Sequence, residues 1–520
     1  MKTGGERPIL SRTTTPVDDG APKQAPQRPD AERLRYLPWL VLTLVALGFS
    51  RTLGFDFVNW DDAQHVLANP AVLGAGDARA RWLTPGLGYA IPVTVASYRL
   101  EYLLVGAAPW LYHATNVLLH LGVCGLVYLL GRRFGLGRAG ASLALLFFGL
   151  HPVVVEPVAW ISGRKDLLAA LLGLLATWCF LDAEAGPERR GRAVLLATTL
   201  FALAAFSKPS VLALPLAWIW LGTGKAGARG RLALPALVVA AAVAGLSWLG
   251  QERAGAVHAV PSVLAWAREI LYALGYHLGL ACFVQPPLAK HIPAAMPPSF
   301  DPAVDLFPIG MGLLLFIWLR RRRERPAAGR GLLFAALAYL PSSGIVPLTR
   351  YLADSYVYLP LAGLAWLVGD GAESLLPAMR PAVRWAVGAG VGLCLLVASS
   401  ATALAWTDGI ALWKTVYQRY PDSPQVCLNL GNAYFERGRH RTALKIYEHC
   451  SGQFGPGHFA KNRAIALFMV GRRTEARQLF GELVRESPDD PGLRKYLRWL
   501  DGEPLPAAPA DATGSLLESW

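Results

Sequence analysis

Charge is scarce in this chain. Asp, Glu, Lys and Arg make up 17% of its 520 residues and hydrophobic residues 53%, a balance too apolar for a soluble chain of several domains. Acidic residues are the scarcer sign, leaving a formal net charge of +14. In a soluble protein that excess would suggest nucleic acid or another anionic partner. Here the basic residues form short clusters between apolar runs: Arg132, Arg133, Arg138; Arg189, Arg190, Arg192; Lys225, Arg229, Arg231; and Arg320 to Arg323 with Arg325 and Arg330. Such clustering is a topology signal and not a nucleic-acid footprint.

Cysteine is also scarce. Of six, Cys124, Cys179, Cys282 and Cys394 lie in apolar runs, where a thiol behaves as a small hydrophobe, so neither a disulfide framework nor a metal site is implied. Cys427 and Cys450 lie in a polar tail and can meet across a helix pair. No metal-ligand spacing stands out. Paired, broken inverted repeats of the transporter kind are missing too, which weighs against a flippase. The first 35 residues, rich in Pro, Arg, Thr, Asp and Gln, have no apolar core and read as a disordered cytoplasmic tail. A cleavable signal peptide is not apparent; the run Leu37 to Leu53 starts too late and reads as a signal anchor.

What the chain has in abundance is apolar sequence. Windows of about 17 to 25 mostly apolar residues, the length a hydrocarbon core requires of a helix, recur from Tyr36 to Trp406. The seven Lys and Arg residues of Met1 to Arg35 place the N-terminus in the cytoplasm. A first helix near 36 to 54 is followed by helices near 112 to 130, 139 to 155, 167 to 183, 192 to 207, 209 to 222, 232 to 250, 303 to 319, 331 to 349, 355 to 370 and 384 to 406, eleven in all. Every basic cluster then falls inside. Residues 263 to 284, interrupted by Arg268, Glu269 and His277, read as an outer-surface or re-entrant helix, since another crossing would put the Arg320 to Arg323 cluster outside.

From Asp422 the composition turns polar and a repeat of about 34 residues emerges. Leu430, Gly431, Tyr434, Ala443, Tyr447 and Cys450 fall at tetratricopeptide-repeat spacings, and a second copy keeps Gly471, Ala476, Phe480, Leu483 and Pro488. The pairs Gly438 and Gly471, Ala443 and Ala476, Tyr447 and Phe480 are each 33 apart. The segment Trp413 to Tyr420 supplies an extra helix. The expected fold class is thus all-α: a polytopic membrane bundle over 36–407 with an external loop at 55–111, a short extracytoplasmic repeat domain over 408–500, and a flexible C-terminal tail over 501–520.

Four polar clusters interrupt the apolar background, all on the outer face of this topology; ionisable groups at membrane depth are costly and usually face a cavity or ligand. FDFVNWDDAQHVLANP carries Asp61 and Asp62. Adjacent carboxylates repel, which suits one of them to act as a general base on a hydroxyl, although two solvated loop aspartates or a helix cap would look the same. LHPVVVEPVAWISGRKD carries His151, Glu156, Arg164, Lys165 and Asp166, whose cations suit a phosphate on which negative charge grows. FSKPS isolates Lys208, which either snorkels to the interface or binds phosphate. TRYLADSYVYLP combines Arg350 and Asp354 with Tyr351, Tyr356 and Tyr358, an interfacial aromatic belt in its simplest reading.

The order FVNWDD, YHATNVLLH, LHPVVVEPVAWISGRKD, FSKPS, ADSYVYLP and then repeats resembles the transmembrane and tetratricopeptide-repeat-containing O-mannosyltransferase-like family of the GT-C class, over about residues 55 to 490. The resemblance implies transfer of a monosaccharide, mannose-like, from a polyprenyl- or dolichyl-phosphate donor, with a catalytic acid in the first external loop that maps onto Asp61 or Asp62. Arg164, Lys165 and Lys208 would hold the departing lipid phosphate, His151, Glu156, Asp166, Arg350, Asp354 and Tyr356 would support that wall, and no bound metal is obligatory. A protein acceptor or partner would bind the repeats. Two positions depart from the family: Ile91 with Pro92 stands where relatives commonly carry His-Pro, and Ser355 where they carry Arg. Of the membranes with the right sidedness, a bacterial inner membrane is favoured over the endoplasmic reticulum. A non-catalytic membrane scaffold that recruits partners through its repeats is the competing reading.

Overall fold

The computed structural model describes residues 29–75, 90–184, 186–222, 225–260, 262–283, 286–288, 308–310, 312, 326–375 and 378–501, without the side chains of 29–33 and 326. Among them every extended element is helical, and a lone bridge joins Val257 to Leu348. Four helices, Leu34–Gly54, Pro109–Arg133, Ala226–Arg253 and Pro381–Trp406, are long and apolar enough to cross a membrane. A fifth candidate is broken: Arg138–Gly149 and Pro152–Ala159 meet at 53°. His151 adopts an extended backbone at the break and caps the next turn by accepting Val153 N–H on Nδ1 at 3.2 Å, while Pro152 brings no N–H to continue the first helix.

The segments expected to span at 167–183, 192–207, 209–222 and 355–370 are the helices Arg164–Asp182, Pro187–Ala205, Leu214–Leu221 and Tyr358–Leu375. They fall short of the length or apolarity of a clear span. The helix expected at 303–319 lies largely outside the described residues, as do the first 28 residues and the tail from 502. Two boundaries differ from expectation. The first helix begins at Pro29, inside the stretch read as disordered. The helix expected to run to 349 stops at Tyr339 and an irregular strap continues to Arg350, because Pro341, Gly344 and Pro347 cannot sustain it. The stretch 263–284 forms one unbroken helix, Val263–Ala281. It turns His277 onto the Tyr339 hydroxyl and the Ala353 carbonyl, and Glu269 onto His258. Its polar residues thus hold the segment leading to Asp354.

Small residues let the membrane helices meet backbone to backbone. A Cβ on Gly363 would lie 2.2 Å from the Gly331 carbonyl oxygen, and one on Gly369 would lie 2.5 Å from that of Gly140. Tyr358–Leu375 is thereby wedged between Pro326–Tyr339 and Arg138–Gly149.

After Trp406 six α-helices follow among the described residues: Gly409–Arg419, then the pairs Pro424–Glu436 with His440–Phe454 and Ala460–Met469 with Arg473–Glu486, then Pro491–Leu500. Each pair turns on a glycine with positive φ, Gly438 at +70° and Gly471 at +85°. Gly431 faces the Tyr447 ring, where an added Cβ would come within 2.1 Å. Cys427 and Cys450 form a disulfide across the first pair. Their core, with Phe435, Ala443, Tyr447, Ala476 and Phe480, is separate from the membrane core, yet Leu412, Trp413, Val416, Val426 and Leu430 pack into the latter. The tail is therefore seated on the membrane domain by its first two helices.

Candidate active site

The loop after the first span sends its two aspartates in opposite directions. Asp62 is buried and accepts three hydrogen bonds: from Val58 N–H at 3.0 Å on one oxygen, and from Ser162 N–H at 3.0 Å and Ser162 O–H at 2.5 Å on the other. Burial outweighs these bonds and pushes its carboxyl up to about 6. Asp61 is more exposed and faces Lys165, with Oδ2 3.7 Å from Nζ. The loop then enters a single π-helical turn, Ala63–Leu67, which puts His65 beside this pair. Burial, and then the positive charge of Lys165, lowers His65 to about 3 and keeps it neutral.

Lys165 is buried, lies 4.4 Å from the centre of the Trp160 ring, and has no hydrogen-bond acceptor among the described residues. Its neighbour Arg164 points the other way. Its guanidinium donates to Glu101, to Asn116 Oδ1 at 2.9 Å and to the Tyr112 carbonyl at 2.8 Å, and lies 4.6 Å from the Tyr98 ring centre. With its donors committed and no exposed surface, Arg164 fastens the helix start to the helix Pro92–Val105. The structure does not bring it to the surface that holds Lys165, where the sequence reading had grouped the two.

The other clusters converge on Lys165's side. Lys208 donates to Asp166 at 2.5 Å and sits 5.3 Å from the Tyr356 ring centre. Arg350 donates to Glu156 at 3.2 Å and lies 4.8 Å over Trp60. Glu156 also accepts Ser355 N–H at 3.2 Å, so Ser355 serves this wall through its backbone. Tyr356 donates to the Arg350 carbonyl, and Asp354 is buried and accepts Leu288 N–H. His151 is buried at the helix break against Phe147 and Phe283. Ile91 fills an apolar cluster with Val66, Tyr98, Tyr112 and Ile161.

A cavity of about 430 Å³ opens beside this wall. Its lining includes Lys208, Arg350, Tyr351 and Tyr356 together with Leu212, Leu216, Trp248, Leu340, Ile345 and Leu348. The irregular strap after Tyr339 supplies much of that lining. Such a shape accepts an amphipathic anion, its charge against the cations and its tail along the apolar side. Sequence reading missed the tryptophans that tie the parts together. Trp60 stacks on Trp160 with centroids 4.7 Å apart, and Trp406 and Trp413 complete the cluster. Their only sequence signal is a high tryptophan content, 17 in the chain. Among the described residues no three His, Cys, Asp or Glu side chains converge as a metal site.

These features define a membrane-embedded helical protein in which the loop after the first long apolar helix pairs Asp61 with Lys165, and Trp160 and Trp60 connect that pair to Arg350 in the lining of the cavity. Comparison with known proteins finds protein O-mannosyl-transferases among the relatives. The chain is 35% identical to protein O-mannosyl-transferase Tmtc1 of Drosophila melanogaster over 167 residues, 30% of this chain and 19% of that protein. It is 40% identical to TMTC2 of Mus musculus over 94 residues, 17% of this chain and 11% of that protein. With human TMTC4 it shares 31% over 167 residues, 28% of this chain and 22% of that protein. The chain thus matches about a fifth or less of these relatives' length, and over that part it is similar to protein O-mannosyl-transferases, the kind of protein its motifs resemble. No family model matches. The crystal structure of ArnT from Cupriavidus metallidurans bound to undecaprenyl phosphate covers 88% of this chain and 84% of its own, at 17% identity and a TM-score of 0.40, a likeness too slight to argue from.

Proposed function

We propose that the protein transfers a mannose-like sugar from a polyprenyl- or dolichyl-phosphate donor to a hydroxyl of an extracytoplasmic, protein acceptor, with inversion. The observation that supports this reading is the chain of contacts from the Asp61–Lys165 pair through Trp160 and Trp60 to Arg350, which with Lys208 lines the cavity. Asp61 is the base: it takes the acceptor's hydroxyl proton as that oxygen bonds to the anomeric carbon. The bond from that carbon to the phosphate oxygen breaks, and its electron pair leaves with the lipid phosphate. Lys208, Arg350 and Lys165 meet the growing charge. Glu156 and Asp166 hold two of these cations in place before the donor arrives, so no rearrangement is needed at the moment of reaction. Asp62, whose oxygens are consumed by Val58 and Ser162, positions the loop, and Arg164 positions the helix that carries Lys165.

The related O-mannosyltransferases support the sugar-transfer reading, and the Cys427–Cys450 disulfide supports an oxidising, extracytoplasmic side for the tail. With the N-terminus inside, an odd number of spans follows, and a bacterial inner membrane fits that sidedness. We read the two helix pairs as tetratricopeptide repeats that present the acceptor. The test is transfer of label from polyprenyl-phosphate mannose to membrane protein by the intact chain, lost in Lys208→Ala, Arg350→Ala double variants of equal abundance; transfer that survives at the wild-type rate refutes the donor site.

A further inference from the structure

The acidic loop is gripped from a second side, by the tail. Asp56 N–H donates to the Thr407 carbonyl at 3.0 Å, and the Asp56 carboxylate pairs with Arg437 at 2.7 Å. Asn59 donates through Nδ2 to the Asn429 carbonyl at 3.3 Å and accepts Trp413 Nε1–H on its own carbonyl at 3.4 Å. Gly409 opens the first tail helix directly under this residue. A Cβ there would fall 2.2 Å from Asn59 Oδ1, so an added methyl would have to displace the Asn59 side chain. Trp60, next in the chain, is caught between Trp160 of the membrane domain and Trp413 of the tail. Asp61 follows at once.

We infer that the first two tail helices, Gly409–Arg419 and Pro424–Glu436, are a positioning element for Asp61: Trp413 and Asn429 hold Asn59 from the tail side while Ser162 holds Asp62 from the membrane side, and the base is fixed between the two clamps. The inference rests on Asp61 being the base. It assigns the tail two separable tasks, since every tail residue named above as holding the loop lies before Ala460. Removing everything from 408 therefore disables donor hydrolysis and acceptor transfer together, and a recruiting role is visible only when the second helix pair alone is removed. A displacement of about 1 Å at a reacting group can cost two orders of magnitude in rate, so loosening one clamp is enough to be measured.

The experiment uses the full chain in detergent micelles with polyprenyl-phosphate mannose, comparing wild type, Trp413→Phe and Gly409→Ala. Trp413→Phe keeps a ring in the cluster and removes the N–H to Asn59; Gly409→Ala pushes the loop instead of releasing it. The expected result is faster amide hydrogen exchange over 55–62 in Trp413→Phe, and turnover lowered about tenfold or more toward both acceptor and water in both variants, with donor KM within about twofold. Unchanged exchange over 55–62, or loss of acceptor transfer with donor hydrolysis intact, overturns the inference. A wild-type chain that transfers no sugar refutes the proposed function, and the exchange result then decides the clamp by itself.

Discussion

Asp62 gives a prediction whose size can be worked from the structure. Asp62→Ala strands the amides of Val58 and Ser162, since the serine hydroxyl can turn to another acceptor. At about 1–3 kcal/mol for each buried, unpaired donor the loss is about 2–6 kcal/mol. Against this, the wild-type carboxylate is strained by burial: its shift from 3.8 to about 6 means that ionised Asp62 costs the fold about 3 kcal/mol at neutral pH. A carboxyl raised in the folded state binds its proton more tightly there than in the unfolded chain. Its contribution is therefore fully present below about pH 4 and is lost as pH rises through about 6. The alanine variant lacks this titration. Intrinsic tryptophan fluorescence, with 17 reporters, follows thermal unfolding of both proteins from pH 4 to pH 7. The variant should melt lower at pH 4, and the gap should narrow by the equivalent of about 3 kcal/mol by pH 7. Comparing the difference cancels the other titrating groups. A gap that stays constant or widens with pH refutes the buried, raised carboxyl.

Further outcomes follow from named contacts. Lys208→Ala and Arg350→Ala should each raise donor KM about tenfold, the worth of one charge-assisted hydrogen bond, as read by initial rates. Arg164→Ala should instead reduce the amount of folded protein recovered by gel filtration, because it leaves Glu101 buried without its cation. Cys427→Ser should leave Cys450 open to thiol reagents on unfolding and cost the repeat core about 3 kcal/mol, the scale for closing a loop of this size (separation 23). Gly431→Ala drives a methyl into Tyr447 and should destabilise the first pair by about 1–3 kcal/mol in a thermal melt while leaving the second pair's helices intact.

The legible parts of the fold were those written in local chemistry. Apolar length marked the spans at Leu34–Gly54, Pro109–Arg133, Ala226–Arg253 and Pro381–Trp406, and 33-residue periodicity marked the paired helices of the tail, down to the turn glycines. The candidate site was legible as a set of polar motifs but not in its division of labour. Neighbouring residues on a helical turn differ in direction by about 100°, and this separates Asp61 from Asp62, and Lys165 from Arg164, more sharply than any residue-type argument can. The stop of the helix at Tyr339 was signalled by Pro341, Gly344 and Pro347, but a run of apolar residues outweighed them in the span reading. The docking of the tail on the acidic loop was invisible in sequence, because Asn59, Gly409, Trp413 and Asn429 meet only through long-range packing, across up to 370 positions of chain.

The central claim is that Asp61 is the base of a sugar transfer. Its most direct test is the transfer of labelled mannose from polyprenyl-phosphate mannose to membrane protein by wild type and Asp61→Asn at equal abundance. Loss of a positioned base predicts a fall of about 10²–10⁴-fold with the variant still folded and still binding donor. Transfer by Asp61→Asn at the wild-type rate would contradict the account.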